Sequence, residues 1–340
     1  MNWASAMVVA GCFAFAMTAK ADAQPAAEFY PGKQLRIIVG TEAGTFFDAY
    51  ARLLVRHMGQ YIPGQPSLLA QNMPGAGSLT AYNHIYNVAP RDGTVFGIGH
   101  RAVPLMPLFG IEGPKFEARK FNYIGSMNRE DDVCITRDDS GIRAIQDLKT
   151  RELMVGTTGR GAELTTFYAT ISAMLGARLK VITGYRSTND LYLAVERGEI
   201  QGRCGGSYAN VLADRPQLMK DGKIRVFLQI APEPNPKIAE IPSLLDLVSD
   251  EDKPVLQLML AAHPMGRPFV APPEVPADRI AILRTAFDAA MKNSGLLADA
   301  RKQNLDLSPV TGAEMAAIIE RAYQAPAAVV AKAKVLVGGQ

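Results

Sequence analysis

The sequence predicts an α/β chain built on largely parallel sheets, and three observations carry that expectation. Short apolar strands alternate with amphipathic helices along most of the 340 residues, the pattern of sheets flanked by helices. Two of the strand-to-helix turns are rich in glycine, Gly40 to Asp48 and Gly156 to Glu163. Turns of this kind leave backbone N–H groups free at a helix start, where the helix dipole favours an anion. Because the two lie in separate parts of the chain, they suggest two lobes facing each other over a cleft.

The first 23 residues stand apart from the fold. Trp3 to Met17 is almost wholly apolar and too short to span a bilayer, and Ala21-Asp22-Ala23 is a small-x-small cleavage pattern. A cleaved secretory signal and an exported chain starting at Gln24 are expected. No Lys or Arg precedes the apolar core, which leaves an upstream start open. Val9-Ala10-Gly11-Cys12 has the look of a lipoprotein box, set aside because the apolar run continues past Cys12.

Strands are expected at Leu35–Val39, Ser67–Gln71, Thr94–Ile98, Val133–Thr136, Leu153–Gly156, Lys180–Thr183, Ile200–Arg203 and Arg225–Ile230. After the first strand, AYARLLVRHM places Ala51, Leu54, Val55 and Met58 on one helical face. A helix from Glu163 aligns Leu164, Phe167, Tyr168, Ile171, Met174 and Leu175, and Gly176 stops it. A later helix repeats the spacing at Ile280, Leu283, Phe287, Ala290 and Met291. Thr311 and Glu314 form a capping box ahead of Met315, Ile318 and Ile319. These stripes read as core. The Pro-rich stretch Ala231 to Pro242 reads as a surface connection.

Lys and Arg (36) nearly balance Asp and Glu (33), for a net charge of +3. No basic stretch is interleaved with aromatics, so nucleic acid is not an expected partner. The charged run Arg129 to Asp132 reads as a solvated face. Beyond the signal, Cys134 and Cys204 are the remaining cysteines. In an oxidising compartment they form either one disulfide or two buried thiols, the second being the simpler reading. Two cysteines and four scattered histidines do not make a zinc site by spacing, and neither metal nor cofactor is expected.

The loops carry the chemistry. Asn72 to Ser78 (NMPGAGS) follows the second strand. Mid-chain, Thr157-Thr158-Gly159-Arg160-Gly161 combines glycines that permit close backbone approach with hydroxyl donors. Arg160 is suited to a bidentate pair with a carboxylate, or else faces solvent. Gly184 to Asp190 offers Ser187, Thr188 and Asn189, any of which also fits a helix cap.

In this order and spacing the motifs resemble the Bug family, the extracytoplasmic solute receptors of tripartite tricarboxylate transporters. The resemblance rests on YPGKQLRIIVG (Tyr30 to Gly40), Gly44, Asp48, Ala51-Arg52, QNMPGAG (Gln71 to Gly77) and APRDGT (Ala89 to Thr94). It continues through GTTGRGA (Gly156 to Ala162), Tyr185, ERGEIQG (Glu196 to Gly202) and APPEVPADRIAILRTAF (Ala271 to Phe287). It implies a two-lobed periplasmic binding protein, each lobe a mainly parallel sheet, with residues 24–124 and 230–340 in the first lobe and 125–229 in the second. The chain would cross near Ile124 and Gln229. The resemblance further implies a monomer that captures a small organic carboxylate and delivers it to membrane transporter subunits, or, in a second reading, to a sensor protein. Carried over by position, the ligand-binding residues are Gly44, Thr45, Phe46, Ala76 and Gly77 from the first lobe. The second offers Thr158, Gly159, Arg160, Gly161 and Ser187. Asp48 is expected to order the first helix start.

Departures from the family pattern fall at Thr45, Phe46-Phe47, Arg186, Ala194 and Gln201. The bulkier first loop favours an aromatic or extended acid over a compact tricarboxylate. Glu42 places a carboxylate in an anion-binding loop, pointing either to solvent or to a cationic or hydrogen-bonding end of the ligand. Enzyme readings are weaker. Gly205-Gly206-Ser207-Tyr208 falls one glycine short of a nucleophile elbow, with His263 and either Asp246 or Glu251 as the partners a hydrolase needs. Gly97-Ile98-Gly99-His100-Arg101-Ala102 loosely matches a dinucleotide fingerprint.

Overall fold

The structure, a computed structural model, describes residues 26–159 and 162–338. The expected signal segment, Cys12, Arg160 and Gly161 lie outside the described residues. Eleven strands among them form two sheets. The first contains β1 (Gln34–Val39), β2 (Ser67–Asn72), β3 (Val95–Ile98), β4 (Asn122–Ser126), β10 (Pro268–Ala271) and β11 (Val310–Thr311), in the order β11-β4-β10-β3-β1-β2. The second contains β5 (Asp132–Arg137), β6 (Leu153–Gly156), β7 (Leu179–Ile182), β8 (Gly202–Ser207) and β9 (Ile224–Ile230), in the order β7-β6-β8-β5-β9. The two-lobed α/β architecture is therefore present, one sheet to each lobe.

Each sheet is more mixed than the expected largely parallel one. β1 pairs in parallel with β2 and β3, and β6 with β7 and β8. β10 runs antiparallel to β3 and β4, and β5 antiparallel to β8 and β9. The reversal has a topological cause. β5 and β10 are the first strands after each passage between the sheets, so they enter from the edge toward which β1–β4 and β6–β9 run; the short edge strand β11 is likewise antiparallel to β4. The carboxyl ends of β1–β4 and of β6–β9 consequently gather at that edge, where ligands bind in open α/β sheets.

Both faces of the first sheet are covered. Helix Phe46–Met58 buries Ala51, Leu53, Leu54 and Met58 against β1, with helix Ala277–Ala290 supplying Leu283 and Phe287. Truncating a buried leucine such as Leu54 to alanine is expected to cost about 2–5 kcal/mol. The opposite face packs Tyr82, Ile85, Met315 and Ile319. In the second sheet, helix Glu163–Leu175 turns Phe167, Tyr168 and Ile171 inward, whereas Leu164, Met174 and Leu175 of the expected stripe are half-buried. Thr311 and Glu314 form the expected capping box. Residues 231–260, expected with the first lobe, pack largely on the second sheet: Leu244, Val248, Leu256 and Leu260 share a core with Cys134, Leu153 and Phe167. The Pro-rich connection is stapled by Gln229, whose amide donates to the carbonyls of Ile238 and Ile241 and accepts from Asn235 N.

Two expectations are corrected. Cys134 and Cys204 form a disulfide rather than two thiols, because the antiparallel register of β5 and β8 sets them directly opposite. The run Arg129 to Asp132 is not a solvated face: Glu130 and Asp132 are buried, drawn in by arginines described below. Among the described residues no helix is long and apolar enough to cross a membrane.

Candidate functional site

The first-lobe loops are built around Asp48. Its carboxylate accepts from Gly44 N (2.9 Å), Arg52 Nε (2.9 Å) and Asn72 Nδ2 (2.9 Å). Burial alone would raise its pKa, but the hydrogen bonds from Arg52, Gly44 and Asn72 bring it below the usual value. Asp48 therefore orders the helix start, as expected, and also ties the first loop to the end of β2. Gly44 spends its N–H on this carboxylate. Thr45 is the helix cap: its hydroxyl accepts from Asp48 N and lies 2.7 Å from Thr41 Oγ1. Phe46 is half-buried against the first core. Glu42 is exposed, the solvent-facing alternative.

In the second loop, Ala76, Gly77 and Ser78 all have left-handed backbone, with φ of 46°, 60° and 75°. Alanine and serine rarely adopt this conformation, so the surrounding contacts must hold it. One is visible: Ser78 Oγ accepts from His100 N at 3.1 Å. Ala76 and Gly77 are exposed.

On the second lobe, Thr157 Oγ1 bonds Thr165 Oγ1 (2.8 Å) and donates to Gly159 O (3.2 Å), fixing the turn after β6. Thr158 is exposed and Gly159 half-buried. Ser187 is exposed and caps helix Thr188–Arg197 by accepting from Asp190 N. Gln201, one of the departures, accepts from Met154 N at 2.9 Å and fastens β6 where its pairing to β8 is short.

Sequence reasoning missed the residues that join the lobes. His100 and Arg101 follow β3 at its carboxyl end. His100 is exposed, and its ring lies 4.7 Å from that of Phe47. Desolvation by the neighbouring protein, with the Arg101 and Arg267 charges, pushes its pKa down to about 4. Phe47 is half-buried, with the Arg267 guanidinium over its ring at 4.6 Å.

Arg101 is buried. Its Nη2 donates to Asp132 Oδ2 (2.6 Å) and to both Glu163 oxygens (3.0 Å), and its Nη1 pairs with Glu130. Glu130 also pairs with Arg267, and His263 Nε2 lies 3.2 Å from Asp132. Burial would raise the Asp132 pKa, but Arg101, His263 and Arg203 hold it well below the carboxylate range. Burial likewise lowers Arg267, to about 10. Asp132, Glu163 and His263 present ligand atoms within 4.8 Å of one another, a metal-like grouping. Arg101 Nη2 lies within 3.5 Å of all three, so the guanidinium is the cation that balances them. The signal available in the sequence was a His-Arg pair directly after a strand.

The enzyme readings lose their geometry. Ser207 caps helix Tyr208–Asp214, and His263 faces Asp132 rather than Asp246 or Glu251. After Gly97 and Gly99 comes a single 3-10 turn, Val103–Leu105, instead of the helix a pyrophosphate needs. Those glycines admit neighbours: a Cβ at Gly99 would stand 2.8 Å from Ser78 Cβ. A groove of about 710 Å³ lies beside the passage between the sheets, lined by Arg129, Tyr208, Pro234 and Arg301 among others; among the described residues, none of the expected ligand-loop positions lines it.

No family model matches the chain. A UPF0065 protein of Bordetella bronchiseptica is 22% identical over 246 residues, 71% of this chain and 70% of that protein. A TctC solute binding protein from Polaromonas superposes with a TM-score of 0.70 at 18% identity, covering 92% of this chain and all of that one. The periplasmic binding protein BugD gives 0.64 at 17% identity, covering 90% and 98%. MatC from Rhodopseudomonas palustris, with bound malate, gives 0.64 at 16%, covering 88% and 100%. The structures matched are those of binding proteins, not enzymes. The resemblance read from the motifs is supported: the chain is similar in sequence to a UPF0065 protein and in fold to TctC- and Bug-type binding proteins.

Proposed function

We propose that the chain is a periplasmic solute receptor that captures a small organic carboxylate between its lobes and delivers it to a tripartite tricarboxylate-type membrane transporter. The observation that carries this reading is the meeting of the two sheets' carboxyl edges, where first-lobe Arg101 pairs with second-lobe Glu163. Loops ending β1, β2, β6 and β7 open at the same edge, each leading into a helix. The malate bound in MatC supports an acid as ligand. The first lobe would be formed on the sheet containing β1 and the second on the sheet containing β5, with residues 127–131 and the return after β9 acting as hinge. The ligand shifts the balance of open and closed forms by its differential affinity for the two.

A thermal-shift screen of the mature chain tests it, using malate, citrate, adipate, benzoate and phthalate with uncharged controls. An acid at about 100 times its dissociation constant adds roughly 2.7 kcal/mol, enough for a shift of a few degrees. A shift with at least one acid and none with the controls is expected. No shift with any acid, before and after a cycle of unfolding and refolding that strips bound ligand, would sink the proposal.

A further inference from the structure

Three carboxylates hold Arg101, and they differ in how they are held. Glu130 and Asp132 are 5% and 1% exposed and lie on the segment that enters the second sheet. Glu163 is 35% exposed and is the first residue of helix Glu163–Leu175, across the inter-lobe gap. Asp132 takes Nη2 at 2.6 Å, while both oxygens of Glu163 stand at 3.0 Å from that same nitrogen. The inner partner is fixed, and the outer one is open to solvent. Next to Arg101 in the chain, the exposed imidazole of His100 stands 4.7 Å from the ring of Phe47.

We propose that Glu163 stands in for the ligand: a carboxylate of the bound acid replaces it on Arg101 Nη2, with the body of the acid against His100 and Phe47. The inference rests on the receptor reading and adds to it the residue that receives the acid. The exchange is physically economical. A buried guanidinium stripped of a partner is strongly destabilised, whereas swapping one carboxylate for another leaves its charge balanced. A ligand without a carboxylate cannot make the swap. The class selected is a small acid whose body is flat or apolar enough to lie along Phe47, with the neutral imidazole offering one donor or acceptor.

Calorimetric titration of the mature chain and its Glu163→Gln variant, with adipate and benzoate as probes and adipamide as uncharged control, tests the exchange. Removing the competing charge is expected to tighten binding of whichever acid the wild type binds by about tenfold, with adipamide unmoved. Unchanged or weaker binding would overturn the inference and make Glu163 a clasp of the closed form. Arg101→Lys keeps the charge but loses the planar fork; at an unaltered melting temperature it is expected to bind the same acid at least about tenfold more weakly, and wild-type affinity would also overturn the inference. A wild type that binds no acid in this titration or the thermal screen instead removes the receptor reading itself, so the two failures are distinguishable.

Discussion

Asp48 accepts hydrogen bonds from three residues that come from a loop, a helix and the end of a strand. Its role at the helix start was legible from the motif it shares with the family, whereas the Thr45 cap that accompanies it was not read. Its reach to Asn72 depends on the β1–β2 pairing and was not legible. His100 is the clearer case. An imidazole next to two arginines gains its character from where β3 ends, and no spacing in the sequence places Arg267 beside it. Its pKa near 4, against an ordinary 6.5, means that the unfolded chain binds more protons between those values. Stability contributed by the neutral ring is therefore full above about pH 6.5 and lost as pH falls toward 4. Melting temperatures measured from pH 7 to pH 4 are expected to decline less steeply in His100→Asn than in the wild type. Parallel curves would mean that His100 titrates as an ordinary surface histidine.

At the scale of elements, strands with a continuous apolar run were readable and glycine-rich ones were not. Leu153–Gly156 falls where the sequence predicts it. β8, with the sequence GRCGGS, begins and ends later than expected because its glycines imitate a turn. Gly202 is needed there since a Cβ would lie 2.4 Å from Ile135 O. β4 was missed for a related reason: Gly125 makes room for the ring of Phe287, which a Cβ would meet at 2.3 Å. β10 opens on a proline and spans four residues, too short a pattern to stand out. The disulfide likewise follows from register. It links residues 70 apart in sequence, and its loss is expected to cost about 2–4 kcal/mol. Reductant should lower the melting temperature of the wild type and leave that of a Cys134→Ala, Cys204→Ala variant unmoved; a wild type indifferent to reductant would mean that the disulfide contributes nothing to the stability of β5 and β8.

At the scale of the whole molecule, the alternation of strands and helices and the two glycine turns were enough for a two-lobed α/β chain. They did not reveal that each passage between sheets inserts one reversed strand, nor that residues 231–260 lean on the second sheet. Both depend on where the chain re-enters a sheet, a long-range choice with no local signature. The expected ligand loops follow the carboxyl ends of β1, β2, β6 and β7, and in the first of them Gly44 and Thr45 turn their donors inward to Asp48 and Thr41. The buried charges of Arg101, Glu130, Asp132 and Arg267 escaped notice because charged runs usually coat a surface.

Closure on an acid is the central claim, and solution X-ray scattering of the mature chain tests it most directly. The acid that raises the melting temperature should lower the radius of gyration and sharpen the scattering of the bound form, while adipamide leaves the curve unchanged. Superimposable curves at saturating acid would contradict a receptor whose lobes close on its ligand.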